Sequence, residues 1–297
     1  ATMAIELNRR QALAWGTASV ASLAGMDHAD AARRTSPEFP QQLIKSHDER
    51  LRDSLGKQVV DTANRWLGAI PDAFGIHYCA TAGMFIRDAV AAYCLPQSSF
   101  HRDRELLQRI GLAADFLKRS QHANGTIDLP ATNFSSPPDT AFVVHSVATA
   151  ATLARRHHVK NILDQLHEFL TLAGEALRLG GVHTPNHRWV ICAALAQINE
   201  IFPKEGYVTR INQWLAEGID IDDEGQFTER STAGYNTIVD SALVVMAHKL
   251  KRPELLEPVR KNLNAMAFLL HPDGEVVTEI SSRQDLDTRA TMSGYWF

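Results

Sequence analysis

The chain has 297 residues, 45% of them hydrophobic, which is enough to enclose a large core and speaks against disorder. Its formal charge of -4 gives no basic footprint, so no nucleic-acid partner is expected. No apolar run is long enough to span a bilayer, so no membrane partner is expected either.

The N-terminus reads as an export leader. Asn8-Arg9-Arg10-Gln11-Ala12-Leu13 resembles a twin-arginine motif, a mildly apolar run follows to Gly25, and Ala29-Asp30-Ala31 offers a cleavage site. Residues 1–31 are therefore expected to be a signal and the protein periplasmic or secreted. A chance arginine pair before a helix is the alternative. Residues 32–49 read as a polar linker, and 50–297 as one catalytic domain.

From there helices alternate with polar loops. Leu55–Ile70 is amphipathic up to Pro71, and Ala80–Tyr93 is almost wholly apolar and closed by Pro96. Arg104–Ser120 is amphipathic and ends near Asn124-Gly125. Asp139 is placed to cap Thr140–Arg156. Then come Asn161–Leu179, Asn186–Ile201, Tyr207–Glu217, Tyr235–Leu250 and Pro253–Leu270. The three cysteines, Cys79, Cys94 and Cys192, lie in apolar text without CxxC or metal-ligand spacing. Buried free thiols are expected, with a Cys79–Cys94 disulfide open in an oxidising compartment.

One phrase recurs five times: an apolar helix ends, a Gly sits in a turn, and a polar loop leads to the next apolar helix. Its anchors are Gly75, Gly125, Gly181, Gly225 and Gly274, spaced by 50, 56, 44 and 49 residues. Two helices of roughly 15 residues and their connections fill such a period, so the unit is a helical hairpin. The second helix of each pair is richer in Ala (VATAATLA, WVICAALA), which predicts an inner set of helices wrapped by an outer set. Extended pieces at Thr126–Leu129, Gln226–Thr228 and Glu275–Glu279 predict short β ribbons. The fold class expected is all-α: an α/α toroid of five to six hairpins, complete or incomplete, with β ribbons on its rim. An open helical solenoid is the alternative, disfavoured by long polar loops such as Gly125–Asp139.

The densest polar text is Thr184-Pro185-Asn186-His187-Arg188-Trp189, followed one repeat later by Glu229-Arg230-Ser231-Thr232-Ala233-Gly234-Tyr235-Asn236. Here the sequence resembles the α/α-toroid polysaccharide lyases, the alginate lyases and the heparinase II/III-like group. The resemblance implies a lyase that cleaves a uronic-acid-containing polysaccharide by β-elimination, with Asn186, His187, Arg230 and Tyr235 catalytic. Heparinase II/III-like lyases carry a β-sandwich after the toroid. The ending Gly294-Tyr295-Trp296-Phe297 leaves open a chain cut before such a domain or a toroid-only lyase of the alginate-lyase kind.

The chemistry suits those residue types. The C5 proton of a uronate is very weakly acidic beside an ionised carboxylate, so fixed donors must neutralise that carboxylate and stabilise the enolate-like intermediate. Asn186 and Arg230 suit that role, His187 suits a donor or base, and Tyr235 suits protonation of the leaving O4. For one stereochemistry Tyr235 also removes the C5 proton, which needs a cation nearby because a free phenol titrates near about 10.

His77, Tyr78, Asn133, His183, Arg188, Trp189, Glu229 and Arg283 are the candidate substrate-binding residues. Simpler roles stay open: a helix cap for Asn186, a structural role for His187, a core position for Trp189, an interface for Tyr235. No cofactor and no metal are expected, although His183, His187 and Glu229 are types that bind zinc. The runner-up is a glycoside hydrolase using two carboxylates from Asp128, Asp139, Glu229 and Glu279. A third reading is a non-catalytic helical-repeat binding protein.

Overall fold

The computed structural model describes residues 39–295, so the expected leader over 1–31 and the start of the expected linker lie outside the described residues. Among the described residues the fold is mostly α, with nine α-helices and one two-stranded ribbon. The helices are α1 (Phe39–Lys57), α2 (Cys79–Cys94), α3 (Arg104–Ser120), α4 (Pro137–Arg156), α5 (Lys160–Leu179), α6 (Pro185–Ile201), α7 (Glu205–Ala216), α8 (Tyr235–Leu250) and α9 (Leu256–Met266). Strand β1 (Ile127–Leu129) pairs antiparallel with β2 (Asn133–Ser136). The chain forms two compact units, a larger one of 40–219 with 242–255 and a smaller one that includes 220–241 and 256–295.

In the larger unit the helices make two rows. Helices α2, α4 and α6 pack successively against one another, and α3, α5 and α7 pack successively behind them. The front row has buried faces made of small residues, among them Ala82 and Ala89, Ala141, Ala148 and Ala151, and Ala194 and Ala196, all at most 1% exposed. Small side chains let helix backbones approach closely, which is why the Ala-rich text became the inner row. Helices α3 and α5 instead carry one apolar stripe each, with Leu106, Ile110 and Leu117, and Ile162, Leu166 and Leu177, at 1% exposed or less.

Side-chain pairings fix the direction of the front row. Phe142 meets His187 near the starts of α4 and α6, His145 Nδ1 lies 3.0 Å from Gln197 Oε1 at mid-helix, and Arg155 pairs with Glu200 near both ends. Helices α4 and α6 therefore run parallel. A Cβ on Gly83 would lie 3.1 Å from Val143, in the first halves of α2 and α4. Arg102, whose N–H bonds to the Tyr93 carbonyl near the end of α2, reaches the His157 carbonyl just past α4, so α2 runs in the same sense. The loops before α2, α4 and α6 consequently share the N-terminal face of this unit.

Four of the five periodic glycines build one and the same turn. At Gly75, Gly125, Gly225 and Gly274 the Gly N–H bonds back to the residue three before it, and that residue's own N–H bonds to the residue after the Gly. All four glycines have φ between 79 and 90, the left-handed value that closes a bulged hairpin. Isolated bridges Pro71 to His77, Ile221 to Phe227 and Leu270 to Val276 extend three of them. Of the three predicted ribbons, Thr126–Leu129 lies in the β1–β2 pair, Gln226–Thr228 is reduced to the bridge at Phe227, and Glu275–Glu279 to bridges at Val276 and from Glu275 to Thr291. The bridge at His77 was not predicted. Gly181 departs from the pattern: the chain goes from the end of α5 through Gly180 in extended conformation directly into α6, without a hairpin.

Three further expectations need correction. Helix α1 covers Phe39–Lys57 and so takes in most of the stretch read as linker, whereas Leu55–Ile70 is helical only as far as Lys57. The reason is local: Asp61 accepts from Ala63 N and Asn64 from Trp66 N, both at 2.9 Å, and such side-chain turns compete with helical bonding. Asp139 is not the cap of α4, because Ser136 accepts from Asp139 N and the helix starts two residues earlier at Pro137. The disulfide alternative also fails: Cys79, Cys94 and Cys192 are free and buried, and Cys79 and Cys94 stand at opposite ends of α2.

The smaller unit closes around Met266, Val276 and Tyr295, with Ala233, Leu263, Leu270 and Met292 packed against them. Asn262 Nδ2 donates to the Gly225 carbonyl at 2.8 Å, tying the Gly225 turn to α9.

Candidate active site

The sequence candidates fall into two groups, one in each unit. On the N-terminal face of the larger unit stand His77, Tyr78, Asn133, His183, Asn186, His187, Arg188 and Trp189. Pro185 supplies the fixed φ that starts α6, and Thr184 precedes it in extended conformation. His187 is half-buried, with its ring edge-on to Phe142 at 6.3 Å and to His183 at 5.9 Å. Asn186 is fully enclosed and donates through Nδ2 to Thr184 Oγ1 at 3.0 Å. Asn133 starts β2 and donates to Asp139 Oδ2 at 3.2 Å, and the His77 ring stacks on Trp66 at 5.3 Å.

One residue of this group is structural. Trp189 has no exposed surface and belongs to the core, so it offers no platform for a sugar ring. Arg188 is paired with Glu217 at 3.2 Å, with its guanidinium 5.5 Å from the Trp189 ring. Trp189, two positions after His187, is among the buried residues of α6, whereas Arg188 beside it is half-buried.

The smaller unit holds Glu229, Arg230, Tyr235 and Arg283 on two interlocked loops. The Ser282 N–H bonds to the Arg230 carbonyl at 3.0 Å, Ser282 Oγ to the Glu229 carbonyl at 2.7 Å, and Thr232 Oγ1 to the Val277 carbonyl at 2.8 Å. Asp285 is the clamp: it accepts from Ser231 Oγ at 2.8 Å, Ala233 N at 3.0 Å and Ser281 Oγ at 2.9 Å. Ser231 Oγ in turn accepts from the Tyr235 N–H at 2.8 Å, which satisfies one of the open donors at the start of α8.

On this platform the Tyr235 hydroxyl donates to Gln284 Oε1 at 2.9 Å, and the Arg283 guanidinium sits 4.8 Å from the Tyr235 ring centroid. Arg283 Nε is 3.7 Å from Glu229 Oε1, a carboxylate only 5% exposed. Arg230 carries φ 45, a left-handed value unusual for a residue with a side chain, and its side chain is 62% exposed at 3.7 Å from Asp222. A phenol and two guanidiniums on one braced platform form a donor-rich surface suited to an anion.

Gln284 and Asp285 escaped the sequence reading, although both lie in the polar loop SSRQD after the Gly274 turn. So did Phe74 and Phe134, exposed at 89% and 74% at the tips of loops on the N-terminal face of the larger unit. Aromatic rings in open loops suit the C–H faces of sugars.

Among the described residues no group of three or more His, Cys, Asp or Glu is placed to hold a metal ion. Burial pushes the Cys79 and Cys192 thiols up to about 12, which takes them out of nucleophile chemistry at neutral pH. Two carboxylates of the hydrolase alternative, Asp128 and Glu279, are poorly set for general acid work, which needs a raised pKa. Burial raises Asp128, but bonds from Ser135 N and His122 outweigh it and hold the carboxyl below its ordinary value. Glu279 is likewise held low, chiefly by a backbone hydrogen bond at its own position.

No protein-family description matches this chain, and no curated protein matches it. A solved structure of a polysaccharide lyase is similar at a TM-score of 0.37 and 12% identity, over 79% of this chain and 46% of that one. The chain thus spans about half the length of that structure, and a likeness this low carries no argument about the site.

Proposed function

We propose that this protein is a polysaccharide lyase that cleaves a uronic-acid-containing polysaccharide by β-elimination. The observation that carries the reading is the smaller unit's platform, where the Tyr235 hydroxyl stands free of any acidic partner between the Arg283 guanidinium and Gln284. Arg230, exposed on the same loop, binds the uronate carboxylate and withdraws charge from it as C5 becomes carbanionic. A base takes the C5 proton, the C5–H electrons form the C4=C5 double bond, the C4–O4 bond breaks, and an acid protonates O4. Tyr235 is that acid, and for one stereochemistry also the base. His187 takes the donor or base role otherwise, and Asn186 the role of a donor held near the start of α6.

The proposed architecture is the α/α toroid, supported by the parallel inner helices of the larger unit and the loops gathered at their N-terminal ends. His77, Tyr78, Asn133 and His183 from those loops are proposed to line sugar subsites, with Arg283 and Glu229 shaping the charge around Tyr235. An export leader over 1–31 and a periplasmic or secreted site of action complete the proposal.

The deciding experiment is ultraviolet absorbance during incubation with alginate, heparan sulfate and related uronate polymers. Elimination leaves a conjugated C4=C5 product that absorbs. Release of reducing ends without any absorbing product replaces the lyase by the hydrolase, and no cleavage of any uronate polymer removes both.

A further inference from the structure

A second polar cluster lies beneath the Tyr235 platform, inside the smaller unit. Asp240 is one helical turn below Asn236 on α8, and both are fully enclosed. Neither Asp240 oxygen has a hydrogen-bond partner, and Asn236 Oδ1 has none either. Asn236 Nδ2 is committed to Gln226 Oε1 at 3.1 Å. Facing them is Tyr295 from the turn Met292–Tyr295, close enough to feel the Asp240 charge and a hydrogen bond from Asn236, with Asp285 beyond it. Gln226 and Asn262 are neutral amides of the same unit, and among the described residues no Lys, Arg or His pairs with Asp240.

A bare carboxylate enclosed without donors costs several kcal/mol, on the order of the penalty for an unpaired buried ion. Three orphaned acceptor atoms on adjacent turns stand against one orphaned donor, Gln226 Nε2, so acceptors are left over, and the smallest donor that can serve them is a proton. We propose that Asp240 is kept as the neutral acid and donates its proton to Asn236 Oδ1, making it a positioning residue under the loop of Arg230 and Tyr235. Burial pushes its carboxyl up to about 8, in keeping with that state. The link upward is short: the Tyr295 hydroxyl donates to the carbonyl of Thr232, which lies between Arg230 and Tyr235 on the platform loop. Ionising Asp240 places a negative charge against the Tyr295 ring and loosens that tie.

The sign follows from linkage. With the folded value raised above the ordinary carboxylate range, the folded state binds the extra proton. The stability this confers is complete below about pH 4, falls as pH rises, and is gone above about 8.

The test compares chemical unfolding of wild type and Asp240→Asn across this range. The variant stays neutral and keeps a donor, so the wild-type unfolding constant should rise against it roughly tenfold per pH unit and then level off. The infrared spectrum of wild type at pH 7 should also show a protonated-carboxyl band, when surface carboxylates are ionised. Only wild type is needed for this second measurement, so it decides the matter even if Asp240→Asn does not fold. A pH-independent difference between the two proteins, or no such band, overturns the proposal. So does stability that depends on added sodium, potassium or calcium in wild type but not in the variant, because a metal cation then fills the place of the proton.

Discussion

The Tyr235 hydroxyl donates to Gln284 across 2.9 Å, and these two residues come from loops 49 positions apart in the chain. The bond aims the phenol outward from the first residue of α8 while Ser231 holds the backbone N–H of the same residue. Aim and anchoring are thus separable. Tyr235→Phe removes only the aim and the proton, so folding should hardly change. Turnover on a uronate polymer should fall by about 10²–10⁴, the usual yield of a positioned acid or base. Steady-state kinetics and a thermal melt on the same preparation check both halves. Full activity in a folded Tyr235→Phe protein makes Tyr235 a surface residue and removes the lyase assignment of this platform.

Asp285 is predicted to matter for the platform rather than for the chemistry. Its two oxygens accept three hydrogen bonds that join the Ser231–Ala233 segment to Ser281. Bonds to a charged acceptor are individually worth about 1.5–3 kcal/mol and are not additive within one network, so Asp285→Ala should cost about 2–4 kcal/mol locally. Hydrogen exchange should show faster amide exchange through 229–235 and 276–285. Unchanged exchange there contradicts the clamp.

The helices of the middle of the chain were legible because their signals are local. Arg104–Ser120 and Tyr235–Leu250 were read to the residue, since an apolar stripe and flanking breakers define them. Four of the five Gly turns were legible for the same reason, because a left-handed φ in a tight turn selects glycine. What failed involved competition or distance. Asp61 and Asn64 capture backbone N–H groups that a helix over Leu55–Ile70 would need, and composition alone does not weigh that contest. Trp189 looked available to a ligand because it follows a loop, yet its side chain has no exposed surface and packs into the core. The platform of Tyr235 and Arg283 depends on a contact between loops nearly 50 residues apart, and nothing local announces which pair will meet.

Asp48 gives α1 an acid-sensitive tether. It accepts from Ser98 Oγ at 2.7 Å, Ser99 N at 2.6 Å and Ser99 Oγ at 2.8 Å, pinning the helix to the loop after α2. Burial alone would raise this carboxyl, but these bonds outweigh it and the group lies below its ordinary value. The contribution is therefore present above about pH 4 and is lost as pH falls through the lowered folded value. Protection of the α1 amides, taken relative to the intrinsic exchange rate at each pH, should fall on acidification before that of α4, and Asp48→Ala should show low α1 protection already at pH 7. Simultaneous opening of α1 and α4 in acid would mean that the tether is not the weak point.

Two glycines of the same turn should answer the same substitution differently. Gly75 and Gly125 have φ 79 and 86, so an Ala at either meets the left-handed penalty, about 1–2 kcal/mol. At Gly75 a Cβ meets nothing within 4 Å, and that penalty is the whole cost. At Gly125 a Cβ would stand 2.1 Å from the Leu172 carbonyl oxygen, inside contact distance of the α5 backbone. The turn cannot move away freely, because Gln121 Nε2 bonds both the Gly125 and Phe169 carbonyls, at 2.9 and 3.1 Å. Gly125→Ala must therefore break that bridge or displace α5, and should cost at least about 2 kcal/mol more than Gly75→Ala, in the range of other overpacking substitutions. Urea unfolding of the two variants side by side measures the difference. Equal losses would show that the turn at Gly125 yields as easily as the one at Gly75, and that close approach to α5 is no constraint on this repeat.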